Sequence, residues 1–255
     1  MAEKLAIVTG ASSGIGLELA RRAAADGYDL VIAANEPMSE AVSELSRDGV
    51  SVTPVECDLA TFEGVDQLLA ACGERVPDVV CANAGNAMGG AFLDIEVGDW
   101  TYSINTNITG TLYLLQNVLR GMVKRNRGKV LITGSIAGYI PGPFNAVYNA
   151  TKAFIDNFAD ALRNELKESE VTLTLLMPGA TDTEFFARAE MEDTGLGQSA
   201  KADPVKVAED GWKALQSGRD RIVSGLFNKA QVAAAGITPT PVMAEIHRHM
   251  AEPKE

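Results

Sequence analysis

Tyr148 and Lys152 bracket the stretch Tyr148-Asn149-Ala150-Thr151-Lys152. Residues four apart on a helix lie one above the other, with Cβ atoms about 5–6 Å apart, so the ammonium reaches the surroundings of the phenol. A free phenol titrates near pH ~10, and a neighbouring cation favours its ionised form. A tyrosine tuned in this way exchanges a proton with a carbonyl or an alcohol near neutrality. The same pair also arises on ordinary solvated helix faces, so its chemistry depends on what the rest of the chain brings to it.

The elements that must do so are spread along the whole sequence. Leu5-Ala6-Ile7-Val8 is an unbroken apolar run, the pattern of a parallel strand covered on both faces. It enters Thr9-Gly10-Ala11-Ser12-Ser13-Gly14-Ile15-Gly16 and then the helical pattern of Leu17, Leu19, Ala20, Ala23 and Ala24. Strand, glycine turn and helix form a phosphate-binding arrangement, because glycines let backbone N–H groups approach a pyrophosphate and the helix N-terminus adds positive partial charge. Leu30 to Ala34 reads as a second strand, followed by a helix from Pro37 to Arg47. Val50 to Glu56 reads as a third, and its Pro54, which has no N–H for a ladder, belongs on a sheet edge. The third strand is that edge in a doubly wound order. Asp58 follows and reads as the cap of a helix starting near Thr61.

Val79-Val80-Cys81 leads into the turn Ala82-Asn83-Ala84-Gly85. Trp100 to Lys124 has helical spacing, yet Asn107 is disfavoured inside a helix and Gly110 follows three residues later, so an irregularity is expected there. A strand at Lys129 to Thr133 delivers Gly134-Ser135-Ile136-Ala137-Gly138 to the carboxyl edge, where open α/β sheets bind ligands. Val171 to Met177 does the same for Pro178-Gly179-Ala180-Thr181-Asp182-Thr183, and Arg221 to Ser224 is the seventh strand.

Bulk properties narrow the class. A chain of 255 residues with 46% hydrophobic content can bury one large core. A net charge of −12 argues against a nucleic-acid footprint and against anionic membrane surfaces. The lack of an apolar run near ~20 residues and of a signal-peptide core at Met1-Ala2-Glu3-Lys4 gives a cytoplasmic expectation. Cys57, Cys72 and Cys81 contain no CxxC pair and read as buried thiols, without a metal site. His247 and His249, two apart on a helix, face different ways and are expected in solvent.

Five of these stretches, in this order and spacing, resemble the short-chain dehydrogenase/reductase family over about Lys4 to Ser224. The resemblance implies a single Rossmann-type domain over 1–255, a doubly wound parallel α/β sheet of about seven strands, with NAD(P) as coenzyme and a small molecule as substrate. It assigns Gly10, Ser12, Ser13, Gly14, Ile15 and Gly16 to the coenzyme loop and Asp58 and Leu59 to the adenine. Asn83, Ala84 and Gly85 border the adenosine half, with Ala82 replacing the family's first asparagine. Pro178, Gly179, Thr181 and Thr183 hold the nicotinamide end. Tyr148 is the acid/base, and Lys152 lowers its pKa and holds the nicotinamide ribose. Ser135, thirteen residues before Tyr148, orients the substrate oxygen. Asn107 holds a relay water, with Asn105 as the competitor if the register differs.

The reaction implied is hydride transfer with a secondary alcohol or ketone of a mostly apolar molecule. A dinucleotide-binding regulator without turnover, or an epimerase or lyase, is the alternative; retention of both Tyr148 and Lys152 favours the enzyme. The Gly- and Asp-rich stretch 180–202 is expected to be a mobile lid over a pocket lined by Met88, Ile136, Tyr139, Ile140 and Phe144. The stripe Phe154, Phe158, Leu162 and Leu166 suits a homodimer or homotetramer interface. Residues 226–255 form an extension whose terminal helix carries Val242, Ile246 and Met250 on one face. At Ala34-Asn35-Glu36, Ala34 holds the place of the family's NAD-selecting acid, and Asn35 that of its NADP-selecting arginine. With no cation identified for a 2′-phosphate and Glu36 nearby to repel it, the expectation leans to NAD.

Overall fold

Alternation along the strands decides where the helices go. In β1 (Lys4–Thr9), Leu5 and Ile7 join one apolar cluster and Ala6 and Val8 the other; in β2 (Tyr28–Ala34), Val31 and Ala33 oppose Leu30 and Ile32 in the same way. Both faces are therefore apolar and both must be covered. The computed structural model describes residues 4–253, so Met1 to Glu3 and Lys254 to Glu255, the ends of the expected 1–255 span, lie outside the described residues. The other strands are β3 (Val52–Glu56), β4 (Val79–Ala82), β5 (Gly128–Thr133), β6 (Val171–Met177) and β7 (Arg221–Val223). All pair in parallel in the order β3-β2-β1-β4-β5-β6-β7. The chain reverses direction between β1 and β4, the switch point at which such sheets bind ligands. Pro54 lies on the β3 edge opposite Ile32, as its missing donor requires.

One helical layer comprises α1 (Gly14–Ala25), α2 (Ser39–Leu45) and α8 (Pro204–Gln216), burying Leu19, Ala23, Leu45, Ala208 and Leu215. Opposite it, α3 (Phe62–Ala70), α5 (Thr111–Lys124) and α6 (Ala146–Glu165) bury Leu68, Leu115, Met122, Ile155 and Ala159. Helix α4 (Val97–Ile104) runs into α5 through a π-helical turn, Asn105–Gly110, which is the irregularity expected around Asn107. Gly110 is required there because a side chain would collide with the Leu59 carbonyl. Beyond β6 come α7 (Phe185–Arg188), α9 (Leu226–Ala235) and α10 (Thr240–Ala251).

Some expectations are corrected. The cap of α3 is Thr61, whose Oγ1 accepts from Gly64 N at 3.0 Å, while Asp58 turns back to accept from Ala60 N. His247 is buried, its Nδ1 3.1 Å from the Pro143 carbonyl, because α10 packs its His247–Ala251 face inward; His249 does face solvent, beside Glu245. Val242 and Ile246 consequently point outward. Ile136 belongs to the main core and the partly buried Tyr139 packs against it, with the Tyr139 hydroxyl meeting Arg221. The three cysteines are buried, and desolvation pushes the Cys81 thiol up to about 12. No helix among the described residues is long and apolar enough to cross a membrane.

Candidate active site

The site starts with the turn between β1 and α1. Gly10 and Gly14 have φ of 64° and 56°, in the left-handed region that favours glycine, and a side chain on Gly16 would collide with the Gly10 carbonyl. Ser13 occupies the N-cap of α1 without a capping bond, and the first turn carries no acid, so that helix end suits an anion such as a pyrophosphate. Ser12 and Ile15 complete the turn, Ile15 packing on the core. Thr183, after β6, lies over this turn: a Cβ on Gly14 would be 2.7 Å from its methyl carbon. A dinucleotide therefore fits the residues present.

Asn83 links three strands. Its Nδ2 donates to Thr9 O (3.1 Å), its Oδ1 accepts from Thr133 Oγ1 (3.0 Å), and the N–H groups of Asn83 and Ala84 both donate to Thr9 Oγ1 at 2.9 Å. These bonds hold the turn with Ala82 in place of an asparagine. Gly85 lies between Asn107 and Lys152, since a Cβ there would be 3.4 Å from Asn107 Oδ1 and 3.5 Å from Lys152 Nζ.

Along α6, Tyr148, Lys152 and Asp156 form a column at successive turns. Lys152 Nζ donates to Thr133 O at 2.9 Å and stands 5.7 Å from the centroid of the Tyr148 ring. Burial lowers its pKa to about 8, with Asp156 opposing. Burial likewise pushes the Tyr148 phenol up to about 12, with a Ser135 hydrogen bond pulling the other way. Desolvation, rather than the cation expected from spacing, is thus the dominant influence on the phenol, and it keeps the phenol protonated. Ser135 is buried; its Oγ accepts from Ala137 N at 3.1 Å and lies 3.5 Å from Pro178 O.

Asn107 faces α6 from the π-helical turn. Its Nδ2 donates to Asn86 O (2.8 Å) and Thr151 Oγ1 (2.9 Å), and its Oδ1 accepts from Asn86 N (2.7 Å). Asn105 instead stays within its own turn, its Oδ1 accepting from Thr109 Oγ1 at 3.4 Å. Near the other end of the groove, Asn35 Nδ2 donates to Tyr102 OH (3.2 Å) and Tyr102 OH donates to Asp58 Oδ1 (3.1 Å). The Leu59 side chain belongs to the core.

After β6, Gly179 packs under Asn228 of α9, and Thr181 Oγ1 donates to Gly179 O at 3.0 Å. A backbone bridge between Thr181 and Ala202 closes the base of the 180–202 segment. Phe186, Ala189 and Met191 form a small cluster with Ala87, against which Tyr148, Phe185 and Leu196 pack; the Phe185 ring is 5.2 Å from that of Tyr148. This segment is tied to the C-terminal helix by Leu196 N to Met250 O (2.8 Å) and by a bridge between Thr194 and Pro253.

Residues 4–193 match the profile of the short chain dehydrogenase family. The chain belongs to the short-chain dehydrogenase/reductase family. An uncharacterised oxidoreductase of Staphylococcus aureus is 32% identical over 213 residues, covering 82% of this chain and 89% of that protein. A short-chain dehydrogenase from Sphingobium yanoikuyae in complex with NADPH is 24% identical with a TM-score of 0.82, covering 92% of this chain and 96% of its own. A short-chain dehydrogenase/reductase from Burkholderia phymatum in complex with NAD is 23% identical with a TM-score of 0.84, covering 99% and 98%. As a short-chain dehydrogenase/reductase, the chain is an enzyme of the oxidoreductase class.

Sequence reasoning missed Tyr102, Thr151 and Arg188. Thr151 was within reach, lying one residue before Lys152 on the helix that carries the pair. Tyr102 carries no motif, and Arg188 reaches Ser13 and Glu36 from the segment after β6 (Nη2 3.4 Å from Ser13 Oγ and 2.8 Å from Glu36 Oε1). Arg188 is thus a cation beside Ser13 and Glu36 that the sequence did not identify.

Proposed function

We propose that this enzyme uses NAD(P) to transfer a hydride to or from the secondary alcohol or ketone of a small, mostly apolar molecule. The observation that carries the reading is the convergence of Tyr148, Ser135 and Lys152 with the glycine turn at one edge of the sheet. A bound nicotinamide supplies or accepts the hydride. Tyr148, kept protonated by burial, donates its phenolic proton to the carbonyl oxygen in reduction and recovers it in oxidation. Ser135 orients that oxygen by its hydroxyl, and Lys152 holds the ribose and returns a proton toward Tyr148. Asn107 completes the path to solvent by fixing the loop at Asn86 and the α6 face at Thr151.

Asp58 and Leu59, with Asn35, border the adenosine; Pro178, Gly179, Thr181 and Thr183 border the nicotinamide. The 180–202 segment acts as the lid, placing Phe185, Phe186 and Met191 beside Tyr148 and so favouring apolar substrates. NAD is preferred by a modest margin, because Glu36 and Glu184 set two carboxylates against the single guanidinium of Arg188. The chain assembles as a homodimer or homotetramer through the α6 stripe, on which Phe154 is 43% exposed and stacked on Phe158.

Nicotinamide absorbance, followed with NADH or NADPH against a panel of ketones and alcohols, tests the reaction. Oxidation of coenzyme matched by reduced product is expected; coenzyme binding without turnover across the panel would return the chain to a regulator, and product without net coenzyme use to an epimerase or lyase. Sedimentation tests the assembly: a Phe158→Glu variant should yield smaller species, and a wild-type protein that sediments as a monomer removes the interface.

A further inference from the structure

The side chain of Arg188 leaves α7 and ends against two residues far from it in sequence. Its Nη2 is 2.8 Å from Glu36 Oε1, just past the end of β2, and 3.4 Å from Ser13 Oγ in the glycine turn, and it is also paired with Glu184 one helical turn back. In a doubly wound fold, the end of the second strand, some 20 residues past the glycine turn, is where the 2′ position of the adenosine ribose is read. Glu36 is twenty residues beyond Gly16. The position that local sequence would give to an arginine is held by Asn35, whose amide is tied to Tyr102. A guanidinium delivered from the opposite side of the groove therefore lies against the corner where a phosphate distinguishes the two coenzymes.

We propose that Arg188 is the specificity residue for the 2′-phosphate and that Glu36 is its competitor for the same guanidinium. The proposal deepens the NAD(P)-dependent reading above and rests on it. A planar guanidinium with several donors matches a phosphate closely, so a 2′-phosphate can take Arg188 from Glu36, whereas a 2′-hydroxyl leaves the Arg188–Glu36 pair intact. The pairing is half-exposed, with side-chain accessibilities of 46% and 37%, so it can open without disrupting the core. Because Arg188 belongs to the segment that also carries Phe186 and Met191, the group at the 2′ position is sensed by the same stretch of chain that covers Tyr148. Affinity for a 2′-phosphate and the closed position of that stretch should therefore support each other.

The experiment is binding rather than turnover. NADPH and NADH are titrated by nicotinamide fluorescence, and 2′,5′-ADP and 5′-AMP by calorimetry, into wild type, Arg188→Gln, Arg188→Lys and Glu36→Gln, with circular dichroism to check folding. Arg188→Gln should weaken NADPH and 2′,5′-ADP by about tenfold or more and leave NADH and 5′-AMP within about twofold. Arg188→Lys should fall between, keeping the charge and losing the fork. Glu36→Gln should strengthen the 2′-phosphorylated ligands several-fold. Equal losses for both coenzymes in Arg188→Gln, or no loss in either, would overturn the proposal while the dehydrogenase reading stands. A wild-type protein that binds neither coenzyme would overturn both.

Discussion

The two ends of the candidate site, one around Lys152 and one around Glu36, are built differently. Around Lys152, the side chains of Lys152, Ser135 and Asn107 are all buried, and the bonds that fix them run to backbone carbonyl and N–H groups or to the buried Thr151. Around Glu36, two pairs of partly or fully exposed side chains meet, Asn35 with Tyr102 and Glu36 with Arg188. Buried hydrogen bonds are costly to break because their partners are left unsatisfied, whereas exposed pairs are screened and contribute little to stability. The fold thus fixes the surroundings of Lys152 rigidly and leaves those of Glu36 to groups that can be exchanged without threatening the core.

The largest expected effect breaks the Lys152 end at its acid. Tyr148→Phe should lower turnover by at least ~10²-fold while coenzyme affinity stays close to wild type, as read by steady-state kinetics beside coenzyme titration. Turnover at the wild-type level would remove the phenol from the mechanism. Next comes Asn107→Ala, which orphans groups at Asn86 and Thr151 and should cost about 2–4 kcal/mol in denaturant unfolding. A loss of activity with unchanged stability would instead make Asn107 a purely chemical participant.

A pH experiment probes the buried column. The Asp156 carboxylate lies between Gly134 and Gly138, where a side chain on either would collide with it, and the Ser135 backbone faces it without a well-formed hydrogen bond. Burial raises its pKa from 3.8 to about 7, against the pull of Lys152. A group whose folded pKa is raised contributes stability that is complete below its unfolded value and lost as the pH passes the folded one. The wild type should therefore lose stability between pH ~4 and ~7 relative to Asp156→Asn, with Tm measured across that range. Parallel curves would show that the acid is relieved by another route.

The smallest effect should come from the Glu36 end. Tyr102→Phe removes the hydroxyl between Asn35 and Asp58 and should weaken coenzyme binding by only about two- to tenfold, with unfolding nearly unchanged. A destabilisation as large as that of Asn107→Ala would erase the contrast between the two ends.

The same contrast explains what could be read from the sequence. Tyr148 and Lys152 share one helix face, Ser135 follows a strand, and the turn at Gly10 to Gly16 joins consecutive elements, so their relations are set by local geometry. Pro54 announced the sheet edge for the same reason. Glu36 and Arg188, in contrast, are 152 residues apart, and no periodicity encodes where a segment after β6 will fall. The burial of His247 is not legible because its helix also carries Glu245, Arg248 and His249, and nothing in that pattern shows that the Pro143 carbonyl lies inside to meet one of them. The expected influence of Lys152 on the phenol was read from charge, but burial, which sequence does not display, is the larger influence.

The π-helical turn at Asn105–Gly110 makes the protein vulnerable to deletion at one place along the α4–α5 run. Such a turn amounts to one residue more than a regular helix needs, so losing a single codon inside it would let α4 and α5 merge into an uninterrupted helix. The residues of the turn itself would then be redistributed around the regular helix, and Asn107 could no longer face Asn86 and Thr151 together. A library of single-residue deletions across this region should therefore show a narrow trough of lost function centred on the turn.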